Sequence, residues 1–582
     1  MNKHAVYHRA NSNYAFAIDE KTLAIRLRTA SKDIDEVKMH YGKCWANVDG
    51  RWVWRKEKID LKIEYETDLY TYWRIDISPK NYTLKYGFEL IKGQERLMYL
   101  ERGFFSVDDV SIENDINSYF NFAYINNADV FRSPSWVEDT VWYQIFVDRF
   151  CNGDKSNDPE NVHEWEEKIL GPYEFYGGDL AGIIQKLDHL KDLGITGLYL
   201  SPIFQSPSSH KYDTTDYFEI DPHYGTKEEF RTLVKEAHSR NIKIMLDAVF
   251  NHIGASSIQF KDVIEKGENS AYYNWFYINK WPVTDDQGNL IGENYRNFCA
   301  EMPKLNTENE EVIQHMLKVS RYWIEEFDID GWRLDAANEV DHEFWRKFRN
   351  TVKACKKDIY ILAEIWYDAY NWLQGDQFDA TTNYPQTKPI LEWVACRSIN
   401  ALDFQRTYIE ALLRYSDNVN KTMFNLLDSH DTARLFTFAK ENINLLEICY
   451  VLLYTLPGTP CIFYGSEYAI AGEHDPYCRV PMPWENEKPE FFETLKKLIS
   501  LRKEYKALGG KTEFIMVKEE EIIMKKVRAA EEIYLIINLS NSEKSYDLSP
   551  YFKATETFKL MDGKSVNVTN ISVKSEGFVL LK

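Results

Sequence analysis

Cysteine is sparse in this sequence: eight in 582 residues, Cys44, Cys151, Cys299, Cys355, Cys396, Cys449, Cys461 and Cys478. None forms a CxxC pair, which argues against a zinc site and for free thiols in a reducing compartment. Positive charge is in deficit, 70 Lys and Arg against 91 Asp and Glu, for a net of −21. A phosphate backbone or an anionic membrane surface is repelled by such a surface, so nucleic acid is set aside as a partner. No long apolar run is unbroken. The most apolar stretch, ICYVLLYTLPGTPCIFYG from Ile448, is interrupted by Pro457, Gly458 and Pro460; it reads as a buried helix followed by a strand, with no membrane span. The opening MNKHAVYHRANSNYAFAIDEK has no apolar core of a secretory leader, so the expected location is cytoplasmic.

What the chain has in quantity is length and aromatic rings. Its length suggests three or four domains at roughly 150 residues each. Aromatic residues make up 15% of it; most are core, and the remainder suit a protein that stacks rings against sugars. Residues 1–125 carry short alternating segments such as TLAIRLRT and YTYWRIDIS between turn signals, the pattern of a β-sandwich. A polar stretch broken by Pro134 follows. The rhythm then changes to eight apolar runs: VWYQIFV (141–147), ITGLYLS (195–201), IKIMLDAVF (242–250), IDGWRLDA (329–336), IYILAEIW (359–366), QFDATTNY (377–384), TMFNLLDS (422–429) and PCIFYG (460–465). Helical patterns such as EEVIQHMLKVSRYWIEEF lie between them. Eight strand-helix alternations predict a (β/α)8 TIM barrel over 126–506. The segment of about 252–302 is too long for a tight loop and reads as an inserted subdomain after the third strand. Alternating strands return over 507–582 as a second, C-terminal β-sandwich.

In such barrels the chemistry sits at the carboxyl ends of the strands. There the sequence places Asp247 and His252 after the third strand, Arg333 and Asp335 at the fourth, Glu364 at the fifth, and His430 and Asp431 at the seventh. Clustered carboxylates repel one another, so at least one takes up a proton. Arg333, two residues from Asp335 and on the same face of the strand, is expected to hold Asp335 ionised. An ionised Asp beside a protonated Glu is the pair that retaining glycoside hydrolysis requires. An Arg-x-Asp pair alone is more often structural; the joint placement on four strand ends favours the catalytic reading.

These segments resemble the α-amylase family of retaining glycosidases: DAVFNH, GWRLDAANE, AEIW and LLDSHD are similar to its four signature segments in order. MPKLN (302–306) resembles the segment that marks the neopullulanase, cyclomaltodextrinase and maltogenic amylase subfamily. YWRIDISPKNYTLKYGFEL, ADVFRSPSWVEDTVWYQIF and DPYCRVPMPW extend the resemblance over most of residues 1–500. It implies Asp335 as nucleophile, Glu364 as general acid/base and Asp431 as the carboxylate holding the distorted ring. It also implies Arg333, His252 and His430 as orienting residues and Tyr212 as a platform under the cleaved sugar. Asp475 and Arg479 are implied at the next sugar on the non-reducing side, and Trp366, Phe298 and Glu339 on the leaving-group side. NGDKSND (152–158) and YGGD offer Asn152, Asp154, Asn157, Asp158, Gly177 and Asp179, by themselves a solvated turn, by resemblance a structural calcium site. Tyr367 and Ser466 depart from the subfamily's usual His and Asp near the mouth. The implied activity is α-1,4 cleavage of cyclodextrins, short maltooligosaccharides and pullulan with some transglycosylation, by a homodimer in which one N-terminal domain covers the partner's mouth. Alternatives are an α-amylase or α-glucosidase of the same family, or an inactive amylase-like binding protein, which loss of a carboxylate would have favoured.

Overall fold

The computed structural model describes residues 1–42, 46–48, 51–53, 56–112, 115–165, 171–551 and 557–582. Contacts divide the chain into two compact units, one of residues 1–132, 400–420 and 517–519, the other of 133–399, 421–516 and 520–582.

The first unit is built on antiparallel strands. One sheet orders Ala15–Ala17, Leu23–Ala30, Tyr70–Ile77 and Lys62–Glu66; a second runs Gly103–Ser106, Glu95–Leu100, Leu84–Lys92, Glu36–Gly42 and Glu57–Asp60. Their apolar faces meet in a core that includes Leu23, Ile25 and Leu27 with Val37, Trp73, Phe88 and Leu90, all buried. The helix Ala401–Leu413, which falls between two barrel strands in sequence, belongs to this unit. Asp417 just after it accepts from Arg26 at 2.6 Å and pairs with Arg74 at 2.7 Å, and Glu64 is held by the same two guanidiniums.

The second unit contains the predicted eight parallel strands: β1 (Trp142–Ile145), β2 (Gly197–Leu200), β3 (Lys243–Ala248), β4 (Gly331–Leu334), β5 (Tyr360–Ala363), β6 (Ala380–Thr381), β7 (Phe424–Asn425) and β8 (Thr459–Phe463). They order as β6-β5-β4-β3-β2-β1-β8-β7, and a parallel bridge between Thr382 and Phe424 joins the two ends, closing the barrel. Every residue of β1, β2, β4 and β5 is buried, which is why the runs read as continuous rather than alternating apolar sequence. Gly331 lets β4 lie close between its neighbours, since a Cβ there would sit 3.2 Å from the Tyr360 carbonyl oxygen.

The surrounding helices start where the sequence supplies caps. Asp179 caps Leu180–Leu193, Thr226 and Glu229 form a capping box at Lys227–Ser239, Asn309 caps Glu310–Phe327 and Asp341 caps His342–Cys355. The alternation fails once: between β5 and β6 there is only a 3-10 turn, Tyr370–Trp372. That stretch, YDAYNWLQGDQF, has no three-to-four apolar period to bury and turns at Gly375, whose φ is 96°. The segment after β3 has its own local structure: a helix, Ile258–Lys266, and antiparallel bridges that pair His252 with Lys304 and Phe276 with Leu305. Near the chain end four antiparallel strands, Lys511–Lys518, Glu521–Arg528, Glu531–Asn538 and Gly577–Leu581, carry a core of Ile523, Ile536, Leu548, Ile571 and Leu581.

Seven of the cysteines are free, and Cys44 lies outside the described residues. Among the described residues no helix is long and apolar enough to cross a membrane.

Candidate active site

The β3–β4 register sets Asp247 directly beside Arg333, and from that pair the site grows outward along the strand ends. Arg333 is 2% exposed. Its Nη1 donates to both oxygens of Asp247 at 2.9 Å and to Oδ1 of Asp335 at 2.8 Å, while Nη2 reaches Oε2 of Glu364 at 2.9 Å. One guanidinium thus serves three carboxylates. Asp335 and Glu364 are aligned by ladder bonds that continue past the strands, Asp335 N–H to the Ala248 carbonyl and Glu364 N–H to the Leu334 carbonyl. Ala336, with φ at 43°, turns sharply so that its N–H donates to Oε2 of Glu364 at 3.1 Å. A left-handed conformation at a non-glycine residue is a strain retained where geometry demands it.

The sharing of Arg333 corrects one expectation from the sequence. Burial, and next the neighbouring Glu364 charge, push the Asp335 carboxyl well above the usual range, and Arg333 opposes them without prevailing. Divided among three acids, a single guanidinium offsets only part of that rise. Burial also raises Asp247 to about 6, with Arg333 opposing.

Nine of the twelve sequence-predicted residues of the mouth join one set of contacts around Arg333, and His252, Phe298 and Glu339 form a second around Asn251. The Tyr212 hydroxyl donates to Oδ2 of Asp247 at 2.8 Å and lies 2.5 Å from His430 Nε2, the two rings parallel within 6°. His430 Nε2 is 3.3 Å from Asp431 Oδ2; Arg479 donates to Asp431 at 3.2 Å and pairs with Asp475 at 2.8 Å. The Trp366 indole donates to Oε1 of Glu364 at 3.1 Å and stacks on Tyr384 at 3.8 Å and 7°, leaving its other face open. Phe298, exposed, stacks on His252 at 5.2 Å. His252 Nε2 is buried with no hydrogen-bond partner, and burial takes that ring down to about 4, so it is neutral. Glu339 accepts from Asn251 at 3.3 Å.

The structure adds residues that the sequence reading did not single out. Tyr199 donates to Asp247 at 2.7 Å, and Gln144 contacts His430 Nδ1 at 2.7 Å. The ammonium of Lys304, in MPKLN, donates to Asn251 Oδ1 and, at 2.9 Å, to the Glu339 carbonyl. It ties the loop after β3 to the loop after β4. A glutamine inside an otherwise apolar β1 was the available signal for Gln144; Lys304 in a loop gave none.

In the loop after β1, Asp179 is occupied by four donors: the N–H groups of Gly153, Asp154 and Gly182 and the Asn157 amide. Asp154 accepts from Ser156. Asn152 Oδ1 and Asn157 Oδ1 are buried without donors. Burial raises Asp158, and Asp179 adds like charge. Gly177, φ 78°, is packed so that a Cβ would lie 2.3 Å from Asp158 Oδ1, bringing its backbone against the same oxygens. Among the described residues no three His, Cys, Asp or Glu side chains gather as a metal cluster. The donors here are chiefly amide oxygens, and an orphaned all-oxygen set fits a hard cation.

Comparison with known proteins agrees with this geometry. The family descriptions "Alpha amylase, catalytic domain" and "Alpha amylase, N-terminal ig-like domain" match residues 144–529 and 1–126. A cyclomaltodextrinase of Geobacillus thermopakistaniensis (strain MAS1) is 42% identical over 591 residues, covering 100% of this chain and 99% of that one. An intracellular maltogenic amylase of Bacillus subtilis is 43% identical, covering 91% and 90%. A solved cyclomaltodextrinase structure superimposes with a TM-score of 0.93 at 35% identity, covering 100% of both chains. With its strand-end carboxylates in place and its length matched throughout, the chain belongs to the α-amylase family.

Proposed function

We propose that the protein is a retaining α-glucan hydrolase of the cyclomaltodextrinase, maltogenic amylase and neopullulanase type, cleaving α-1,4 bonds of cyclodextrins, short maltooligosaccharides and pullulan, with transglycosylation as a side reaction. The observation that carries this reading is the single buried guanidinium clasping Asp247, Asp335 and Glu364 at the barrel mouth, with Asp431 and two neutral histidines beside it. Retaining cleavage requires Glu364 in its acid form and Asp335 ionised. As Glu364 protonates the departing oxygen, an Asp335 oxygen attacks the sugar carbon to form a glycosyl ester; Glu364, now ionised, takes a proton from water, which cleaves the ester with net retention. Asp431, fixed by Arg479, holds the ring hydroxyls in the distorted geometry. The open face of Trp366 supports leaving-group or acceptor sugars, and a sugar acceptor in place of water gives transfer. Proton NMR of the first product anomer tests the mechanism: the α-anomer is expected, with turnover lost in Asp335→Asn, and initial β-anomer or an active variant would refute it.

Calcium in the loop after β1 is part of the proposal. Asn152, Asn157, Asp158 and the Gly177 carbonyl would hold it, with Asp154 and Asp179 shaping the loop, and its contribution would be structural. A cytoplasmic location is supported by the free thiols and by the name of the Bacillus subtilis relative. A homodimer is inferred from the resemblance alone. Light scattering should give twice the chain mass of 68.7 kDa; a monomer at micromolar concentration would refute it.

A further inference from the structure

Two chains of hydrogen bonds meet at the site histidines, and each has its direction imposed by a charged end. The first ends at Asp247, whose Oδ2 accepts from the Tyr199 and Tyr212 hydroxyls while Arg333 donates to both of its oxygens. A carboxylate only accepts, so the one hydroxyl proton of Tyr212 points to Asp247. The Tyr212 oxygen must then receive a proton from His430 Nε2, 2.5 Å away. Burial, with Arg479 and Arg333 nearby, keeps this imidazole neutral. Its Nδ1 is therefore bare and accepts from the Gln144 amide nitrogen at 2.7 Å.

The second chain starts at Lys304, which only donates and does so to Asn251 Oδ1. That fixes the amide, so Asn251 Nδ2 faces His252 Nδ1 at 3.2 Å and Glu339 at 3.3 Å. His252 Nδ1 is the acceptor, its ring proton is on Nε2, and Nε2 is the buried atom without a partner.

We propose that Gln144 and Asn251 are positioning residues that fix both site histidines as Nε2–H tautomers, so that His252 presents the sugar at the cleaved bond with a donor that has no protein partner and His430 with one that the sugar shares with the Tyr212 oxygen. The His430 donor also faces Asp431 Oδ2 at 3.3 Å; the other tautomer would turn a lone pair toward that carboxylate and toward the Tyr212 oxygen. The inference rests on the reading of His252 and His430 as sugar-facing groups, and the test separates the two. The tautomers are read at pH 7 by NMR of the full chain labelled with 15N in histidine, each ring assigned by its loss in His430→Asn or His252→Asn. Wild type is expected to show protonated Nε2 and bare Nδ1 at both rings. Gln144→Glu replaces the donor by an acceptor, so His430 Nδ1 becomes protonated, His252 keeps its pattern, and kcat/KM falls about 10²-fold, the scale of a misplaced contact. A protonated Nδ1 in wild type, or an unchanged His430 in Gln144→Glu, would overturn the proposal. If that variant does not fold, the wild-type spectrum decides alone. The expected spectrum in a chain inert toward α-glucans would support the tautomers and overturn the functional reading.

Discussion

Asp330→Asn should cost stability without touching turnover, and the structure sets the size of the effect. Asp330 precedes β4 at the end of the barrel away from the carboxylates, with its side chain 1% exposed. Oδ1 meets Lys243 at 2.9 Å and Lys356 at 3.0 Å; Oδ2 meets His238 at 2.6 Å and the Ile244 N–H at 3.0 Å. Asparagine keeps the shape but has one acceptor oxygen, so the cations lose their shared counter-charge. Removing one partner of a buried ionic cluster costs about 3–5 kcal/mol. At about 2 °C per kcal/mol, the lower end for large domains, the apparent Tm falls by roughly 6–10 °C at neutral pH. The sign with pH follows from the Asp330 carboxyl, which its partners hold below the usual range despite burial. Its contribution is present above the unfolded carboxylate value of about 4 and is lost as pH falls through the lower folded value. The gap between wild type and variant therefore narrows in acid. Thermal scans at one fixed rate from pH 7 down to 3, with kcat at 25 °C as control, measure this. A gap below 2 °C at pH 7, or one that widens in acid, would refute the reasoning.

Lys304→Met keeps the length of the strut but leaves Asn251 Oδ1 without its donor; kcat/KM on maltotriose should fall about 10²-fold through loss of position, and a fall below twofold would show the strut to be idle. Trp366→Ala removes a stacking face of about 0.5–1.5 kcal/mol, so KM for maltotriose should rise roughly 2- to tenfold and transfer to added glucose should drop relative to hydrolysis; unchanged product ratios would count against the assigned side. Chelation with EDTA should lower the apparent Tm by about 5 °C, restored by calcium, since saturation at 100 times Kd stabilises by about 2.7 kcal/mol; no response would remove the calcium proposal.

The barrel was legible because strands buried on both faces cannot hide their composition: Tyr360–Ala363 and Gly197–Leu200 have no exposed position to interrupt the run. The carboxylates were legible for the opposite reason, since charge at the end of such a run has no packing role. Distribution of charge was not legible. That Arg333 must divide itself between Asp247, Asp335 and Glu364 depends on β3, β4 and β5 lying side by side, and spacing along one strand shows only its own pair. Gln144 and Tyr199 sit in apolar strands where one polar atom is lost in the average. The helix Ala401–Leu413 has an ordinary barrel-helix pattern, and only the contacts of Asp417 with Arg26 and Arg74 reveal its place with the N-terminal strands.

The most direct test of the central claim is initial rates of the purified chain on β-cyclodextrin, pullulan and soluble starch in parallel, with Glu364→Gln as control. The account predicts faster release of maltose from the cyclodextrin than from starch, abolished in the control. A preference for starch would contradict the assignment, and activity surviving in Glu364→Gln would contradict the site.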